Sequence, residues 1–281
     1  MNPILILGAK GMLGGQLKKT FPSVLAWDRE DVDVTNFNAL QEKILKLPET
    51  PQAIINCVAY NDVDGAEDNR QTAFLLNAEF PGKLAALCKE IDVPFLHFSS
   101  NYVFNGEKGE YDESALPSPL SEYGRTKFGG EQLIAEKCEK YYIVRTAVLF
   151  GPKGESALSK KSFLDVMLEL SASMNEIKVV TDEINSLTYV VHLAEAVKYL
   201  LTEHKPYGIY HITNSGFASW FELASELFGF LKREVKLVPV SASAFTRKAL
   251  RPKKAVLLNT KLYAMPKWQD ALREFLLNVK P

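Results

Sequence analysis

Apolar residues along this chain follow two patterns that alternate. Short runs, Ile4–Leu7, Val24–Asp28, Ala53–Ala59, Pro94–Asn101 and Tyr141–Thr146, are separated by longer stretches in which apolar positions return every turn of a helix. The runs predict buried strands. The stretches predict amphipathic helices, one through Leu17 to Phe21, one capped by Asn36, one from Asn77 through Leu84 and Leu87, and one from Tyr123 through Leu133. Strand alternating with helix predicts an α/β fold with a doubly wound parallel sheet. After Phe150-Gly151-Pro152 the alternation loosens. Helices are expected over Ser162–Leu170, Tyr189–Leu201 and Trp268–Leu277, strands over Ile177–Val180 and Gly208–Ile212. Ser219 with Glu222 three residues on is a capping box opening another helix. The break divides the chain into residues 1–150 and a smaller α/β part over 151–281, with a return to the first part near 177–203.

The first strand runs into Gly8-Ala9-Lys10-Gly11-Met12-Leu13-Gly14 and then a helix. Glycines there let the backbone turn sharply and approach a pyrophosphate, while the helix N-terminus faces the anion. A tight turn without a ligand gives the same pattern. Read functionally, residues 1–150 form a Rossmann-like dinucleotide-binding domain. Asp28 then falls where an acid accepts hydrogen bonds from an adenine ribose and repels a 2′-phosphate; Arg29 beside it suits that phosphate. Asp33 either meets the adenine edge or sits in a turn. The small residues ending Ala53–Ala59 leave room for a cofactor.

Tyr123 and Lys127 stand four apart, on one face of a helix. A phenol is a poor acid at neutral pH, with an ordinary pKa of about 10; a neighbouring ammonium lowers that value. Such a pair can hand a proton to an oxygen gaining negative charge. A packed ring beside a solvated lysine has the same spacing. Ser100, at the end of the run Pro94–Asn101, is the hydroxyl expected beside Tyr123, placed to hold a substrate carbonyl. His97 lies inside the apolar run and reads as packed. Asp62, Asp64 and Glu67 suit either a metal site or a capped helix start, and the helix start is the commoner reason for acids there.

Charge and composition exclude several partners. A net charge of -1 gives no reason for nucleic acid or an anionic membrane. No apolar run is long enough for a bilayer, and the N-terminus lacks the basic start of a signal peptide, so the expectation is cytoplasmic. Cys57, Cys88 and Cys138 show no metal-ligand spacing and read as free thiols. Lys248, Arg251, Lys253 and Lys254 cluster near the end of the chain, a solvated face or a diphosphate site.

Ser100, Tyr123 and Lys127 behind a glycine loop resemble the extended short-chain dehydrogenase/reductase family. Phe98-Ser99-Ser100-Asn101-Tyr102-Val103-Phe104-Asn105-Gly106, Tyr123-Gly124-Arg125-Thr126-Lys127, Val144-Arg145-Thr146, Ser186-Leu187-Thr188-Tyr189, Ser219-Trp220-Phe221-Glu222 and Arg251-Pro252 follow the order seen in its dTDP-4-dehydrorhamnose reductases. The resemblance implies a catalytic set of Ser100, Tyr123 and Lys127. It implies a site for NADH or NADPH in which Gly8, Lys10, Gly11, Met12 and Leu13 line the pyrophosphate. Asp28, Asp33 and Val34 would lie at the adenosine end. Ala59, Tyr60 and Asn61, with Tyr123 and Lys127, would lie near the nicotinamide ribose. Ser100, Asn101, Val148 and Arg251 would touch a nucleotide-sugar substrate. The chain departs from the family's pattern at Asn101 (usually Asp), Val148 (often Trp) and Leu187 (Pro). Gln16 stands where some relatives carry a Glu of a metal-bridged dimer, so no metal is expected, and the state is monomer or homodimer. The implied activity is reduction of the 4-keto group of a nucleotide-linked 6-deoxy-hexulose, most simply dTDP-4-dehydro-L-rhamnose. A sugar-nucleotide epimerase or dehydratase, and a non-catalytic NAD(P)-binding regulatory subunit, are the alternatives. Dehydratases place an acid pair where this chain has Asn101 and Tyr102.

Overall fold

Six parallel strands form the central sheet, in the order Gly208–His211, Tyr141–Thr146, Phe95–Ser100, Ala53–Asn56, Ile4–Leu7, Val24–Trp27. They come from a computed structural model that describes residues 2–156 and 159–278. Both faces of this sheet are covered, which is why its strands read as unbroken apolar runs. Ile4, Ile6, Leu96 and Phe98 point to one side, against Leu13 and Leu17 of the first helix (Met12–Thr20) and Leu193, Val197 and Leu200 of the helix Val190–Thr202. Leu5, Leu7, Ile54 and Phe95 point to the other, against Leu40, Leu84 and Ile134 of the helices Phe37–Leu45, Phe80–Glu90 and Glu122–Lys137.

The strand Ile4–Leu7 pairs with Val24–Trp27 on one side and Ala53–Asn56 on the other. Strand order reverses there, opening a crevice at the carboxyl ends. Gly8, Asp28, Cys57–Ala59 and Ser100 all lie at those ends. The chain rejoins this body through the helix Val190–Thr202 and the strand Gly208–His211. The strand Glu176–Val180 instead pairs in parallel with Lys236–Val240, outside the central sheet.

A second apolar cluster holds Phe150, Leu164, Met167, Leu187, Leu223, Leu227, Trp268 and Phe275. A four-stranded sheet, Ala218–Ser219, Ile184–Asn185, Lys254–Leu257, Gly109–Tyr111, joins this part to the loop after Ser100. Beneath it the fully buried Arg145 makes a bidentate pair with Glu131 at 2.9 and 2.6 Å, tying the helix Glu122–Lys137 to the sheet.

The helix expected from Asn77 starts earlier: after the turn Gly65–Asp68 a helix begins at Arg70, and its turns widen over Leu75–Glu79 before continuing as Phe80–Glu90. Pro81 lacks the N–H that would bind the carbonyl of Asn77 four residues back, and the Asn77 side chain is turned inward to other partners.

Candidate active site

The strand Phe95–Ser100 ends in a short turn, Asn101–Val103, capped by Ser100: its Oγ accepts from Tyr102 N–H at 3.2 Å. The helix Glu122–Lys137 is capped by Ser121, whose Oγ accepts from Gly124 N–H at 3.2 Å. Only glycine fits at 124, because a Cβ there would lie 2.2 Å from the Tyr102 carbonyl oxygen. That close approach brings the first helical turn against the strand end. The Ser100 hydroxyl lies beside Tyr123 and donates to Asn101 Oδ1 at 3.4 Å, and the Tyr102 ring meets Tyr123 edge-on with centroids 5.6 Å apart. Lys127 is 2% exposed; its Nζ donates to the Phe98 carbonyl at 2.6 Å and lies 3.3 Å from His97 Nε2.

The electrostatics differ in sign from the sequence expectation. Burial raises the Tyr123 pKa and outweighs the lowering by the Ser100 hydroxyl, so the phenol stays protonated. Burial lowers Lys127 to about 8, opposed by Glu131 one turn on. The amine is turned to the Phe98 carbonyl, and the net displacement of the phenol is upward. A protonated phenol is the state a proton donor needs.

Around the crevice the glycine loop is tightly built. Gly8 has φ 78°, and a Cβ on Gly14 would lie 2.1 Å from the Gly8 carbonyl oxygen. The helix that follows has Gly11 at its N-cap with no side-chain cap and no acid in its first turn. Its N-terminal dipole and donors therefore suit an anion, and the loop fits a dinucleotide pyrophosphate. Met12 and Leu13 form its first turn. Asp28 binds the loop itself: its oxygens accept from Lys10 N–H and Arg29 N–H, both at 2.8 Å. The Lys10 amine reaches out to Glu30 at the surface. Lys18 pairs with Glu155, and Ser156 N–H donates to the Lys10 carbonyl at 3.0 Å, so the segment before residue 157 lies against this loop.

Of the two roles open to Asp33, the structure has it in a turn, accepting from the Thr35 N–H at 2.9 Å and hydroxyl at 2.8 Å. Val34 packs against the apolar cluster that includes Trp27. Ala59 and Tyr60 continue the strand end, and Asn77 fixes them: its Oδ1 accepts from Tyr60 N–H at 2.8 Å, and its Nδ2 donates to the Tyr60 carbonyl at 3.1 Å and Thr126 Oγ1 at 3.0 Å. Asn61 is exposed. Asn77 was not foreseen, since its spacing marked only a helix start.

The substrate-side residues are less free than their positions suggest. The Arg251 guanidinium grips Asp64 with both Nη atoms, at 3.1 and 2.7 Å, and this pair holds the Asp64 carboxyl down to about 2. Arg247, missed in the sequence, pairs with buried Glu183, which also accepts from Trp220 Nε1 at 3.0 Å. Arg247, Arg251, Lys253, Glu183 and Phe245 line a hollow of about 190 Å³. Asn101 is buried; its Nδ2 donates to Asn185 Oδ1 at 2.9 Å and to the Ala255 carbonyl at 3.1 Å. An aspartate cannot make those two donations, which accounts for the amide here. Val148 has φ 41°, a strained conformation for a β-branched residue, of the kind found at functional sites.

The acids of the 62–67 turn are each taken by the protein: Asp62 caps Gly65, Asp64 holds Arg251, and Glu67 accepts from Glu122 N–H. Among the described residues no group of three or more His, Cys, Asp or Glu could hold a metal ion, and no helix is long and apolar enough to cross a membrane.

Comparisons with known proteins fit this arrangement. A family model described as the RmlD substrate binding domain matches residues 1–280. A probable dTDP-4,6-dihydroxy-2-methyloxan-3-one 4-ketoreductase of Streptomyces antibioticus is 36% identical over 282 residues, 96% of this chain and 93% of that protein. A dTDP-4-dehydrorhamnose reductase of Streptomyces griseus is 33% identical, over 96% of this chain and 91% of its own. The crystal structure of dTDP-4-dehydrorhamnose reductase from Bacillus anthracis in complex with NADP superposes with a TM-score of 0.93 at 33% identity, covering 99% of this chain and all of that one.

Proposed function

The chain belongs to the RmlD substrate binding domain family, and on that footing we propose that it is an NAD(P)H-dependent oxidoreductase reducing the 4-keto group of a nucleotide-linked 6-deoxy-hexulose. The substrate we assign is dTDP-4-dehydro-L-rhamnose, giving dTDP-L-rhamnose. The observation that carries this reading is the convergence of Ser100, Tyr123 and Lys127 at one strand end beside the glycine loop.

When bound, NAD(P)H supplies the hydride, which adds with its two electrons to the carbonyl carbon. Gly8, Gly11, Met12 and Leu13 would hold its pyrophosphate, Asp28 and Val34 the adenosine end, and Ala59 and Tyr60 the nicotinamide side. Tyr123 gives its hydroxyl proton to the carbonyl oxygen as the C=O π bond breaks. Ser100, beside Tyr123, orients that oxygen. Lys127, one turn along the helix, sets the charge behind the phenol. Arg251, Arg247 and Lys253 would face the substrate diphosphate across the hollow they line. In this scheme residues 1–150, with the return ending at His211, make the cofactor domain, and the rest of 151–281 grips the substrate.

A dehydratase or epimerase reading fits less well, because Asn101 and Tyr102 offer no acid pair beside Ser100. The Streptomyces antibioticus relative favours a second substrate, another dTDP-linked 4-keto sugar. A cytoplasmic setting suits a reductase drawing on a nicotinamide pool. The test is to mix the purified protein with NADPH or NADH and a panel of nucleotide-linked 4-keto sugars, and to follow the reduced-nicotinamide absorbance. Loss with dTDP-4-dehydro-L-rhamnose is expected; a flat trace with every sugar overturns the reading.

A further inference from the structure

Lys127 is buried against a chain of three side chains whose polarity the backbone fixes. Asn56 ends the strand Ala53–Asn56 and is fully buried. Its Oδ1 accepts from Val58 N–H at 3.0 Å, so its amino group is the end facing His97, 3.1 Å from Nδ1. An amide nitrogen can only donate. His97 Nδ1 is therefore the acceptor, and the ring proton of the neutral imidazole sits on Nε2. That nitrogen lies 3.3 Å from Lys127 Nζ. Two donors face each other when Nζ is an ammonium. When it is an amine, its lone pair accepts the Nε2 proton. An imidazolium gives no escape: His97 is fully buried, and burial together with the lysine charge holds it well below the usual histidine range.

The other ionisable groups around Nζ are few. Tyr123 and Glu131 lie on its own helix, and Glu131 is committed to Arg145 from the neighbouring strand. Tyr102 stands beyond Tyr123 on the turn after Ser100, and Glu67 binds the helix start at Glu122. The Phe98 carbonyl accepts from Nζ at 2.6 Å, more strongly when Nζ is an ammonium, and so opposes the effect of His97.

We propose that Asn56 and His97 are positioning residues for this reaction, the orientation of the Asn56 amide passing through the imidazole to weaken the hold of Lys127 on its proton. The proposal rests on the reductase reading above. Whether Nζ is charged sets how readily Tyr123, one turn away, gives up its own proton. Loss of the Lys127 proton therefore defines the alkaline limb of turnover, and Asn56 sets where that limb falls. Burial of Lys127 acts in the same direction and lowers its pKa to about 8.

The isosteric change Asn56→Asp reverses the polarity. The carboxylate accepts at both oxygens, from Val58 N–H and from a proton now on His97 Nδ1, and Nε2 becomes an acceptor for the Lys127 ammonium. Lys127 is read directly from the side-chain carbon signal of ¹³C-lysine-labelled protein, assigned as the signal lost in Lys127→Met. Its midpoint in Asn56→Asp is expected to rise by roughly one pH unit or more, as for a new opposite charge nearby. The alkaline limb of kcat/KM should rise with it. A merely structural role for Asn56 lowers turnover and leaves both midpoints in place, which overturns the proposal. Should the variant not fold, ¹⁵N shifts of His97 in the unaltered protein decide: a proton on Nε2 supports the proposal, one on Nδ1 refutes it. The NMR readouts need no substrate. An inactive wild type with a shifted midpoint overturns the reductase reading, while an active wild type with an unmoved midpoint overturns only this one.

Discussion

Replacing Arg251 by alanine removes a guanidinium whose side chain is 14% exposed and which makes two bonds to Asp64 and one, at 3.0 Å, to the Ala249 carbonyl. Two effects follow, separable by assay. A forked contact to a diphosphate is a charge-assisted hydrogen bond of about 1.5–3 kcal/mol, so the nucleotide-sugar KM should rise roughly 10- to 150-fold. The NADPH Kd, read by fluorescence, should not move. The second effect is on stability. Arg251, first among the causes and helped by the backbone N–H groups of Ala249 and Lys248, takes the Asp64 carboxyl from 3.8 to about 2. That carboxylate is 37% exposed, and solvent screening leaves about 1 kcal/mol of the linkage. The sign follows from a lowered acid: the stability is full above 3.8 and is lost as pH falls towards about 2. The Tm gap between wild type and Arg251→Ala should therefore narrow over that interval. Asp64→Asn separates the roles, since it weakens the pair and keeps the guanidinium. Arg251→Ala should raise KM well beyond Asp64→Asn. Equal KM values in the two variants, or an unchanged KM in Arg251→Ala, would refute the diphosphate contact.

Other perturbations have equally definite outcomes. Tyr123→Phe should abolish most turnover while NADPH still binds; near-normal turnover would remove Tyr123 as proton donor. Asp28→Ala should weaken NADH and NADPH together, because Asp28 ties the backbone of Lys10 and Arg29 to the strand end; a loss confined to NADH in fluorescence titrations contradicts this. Chelation with EDTA should leave the rate unchanged, since a neutral amide at Gln16 is a poor ligand for a hard cation; a loss restored by magnesium counts against it.

The central sheet was legible because burial on both faces leaves each of its strands an apolar run. Caps were legible for the same local reason: Asn36 accepts from Ala39 N–H, and Ser219 with Glu222 closes the foreseen box. The small sheet was not. Ile184–Asn185 and Gly109–Tyr111 are two and three residues long and are defined by pairing with distant segments, Lys254–Leu257 for both and Ala218–Ser219 for the first. In the candidate site, Ser100, Tyr123 and Lys127 were visible as motif residues, whereas their partners depend on contacts far apart in sequence. Arg251 meets Asp64 across 187 positions, and the basic cluster alone gave no sign of that commitment. His97 read as packed because it sits in an apolar run. It is packed, yet the amine it meets comes from 30 residues further on, and no local pattern marks that meeting.

The central claim is that hydride reaches the 4-keto carbon of the sugar while Tyr123 protonates its oxygen. The most direct measurement uses NADPH deuterated at the transferring position of the nicotinamide with dTDP-4-dehydro-L-rhamnose, and locates the label by mass and NMR. One deuterium at C4 of the product sugar, lost together with turnover in Tyr123→Phe, is the predicted result. Consumption of the keto sugar with no deuterium at C4, or labelled product formed at full rate by Tyr123→Phe, would contradict it.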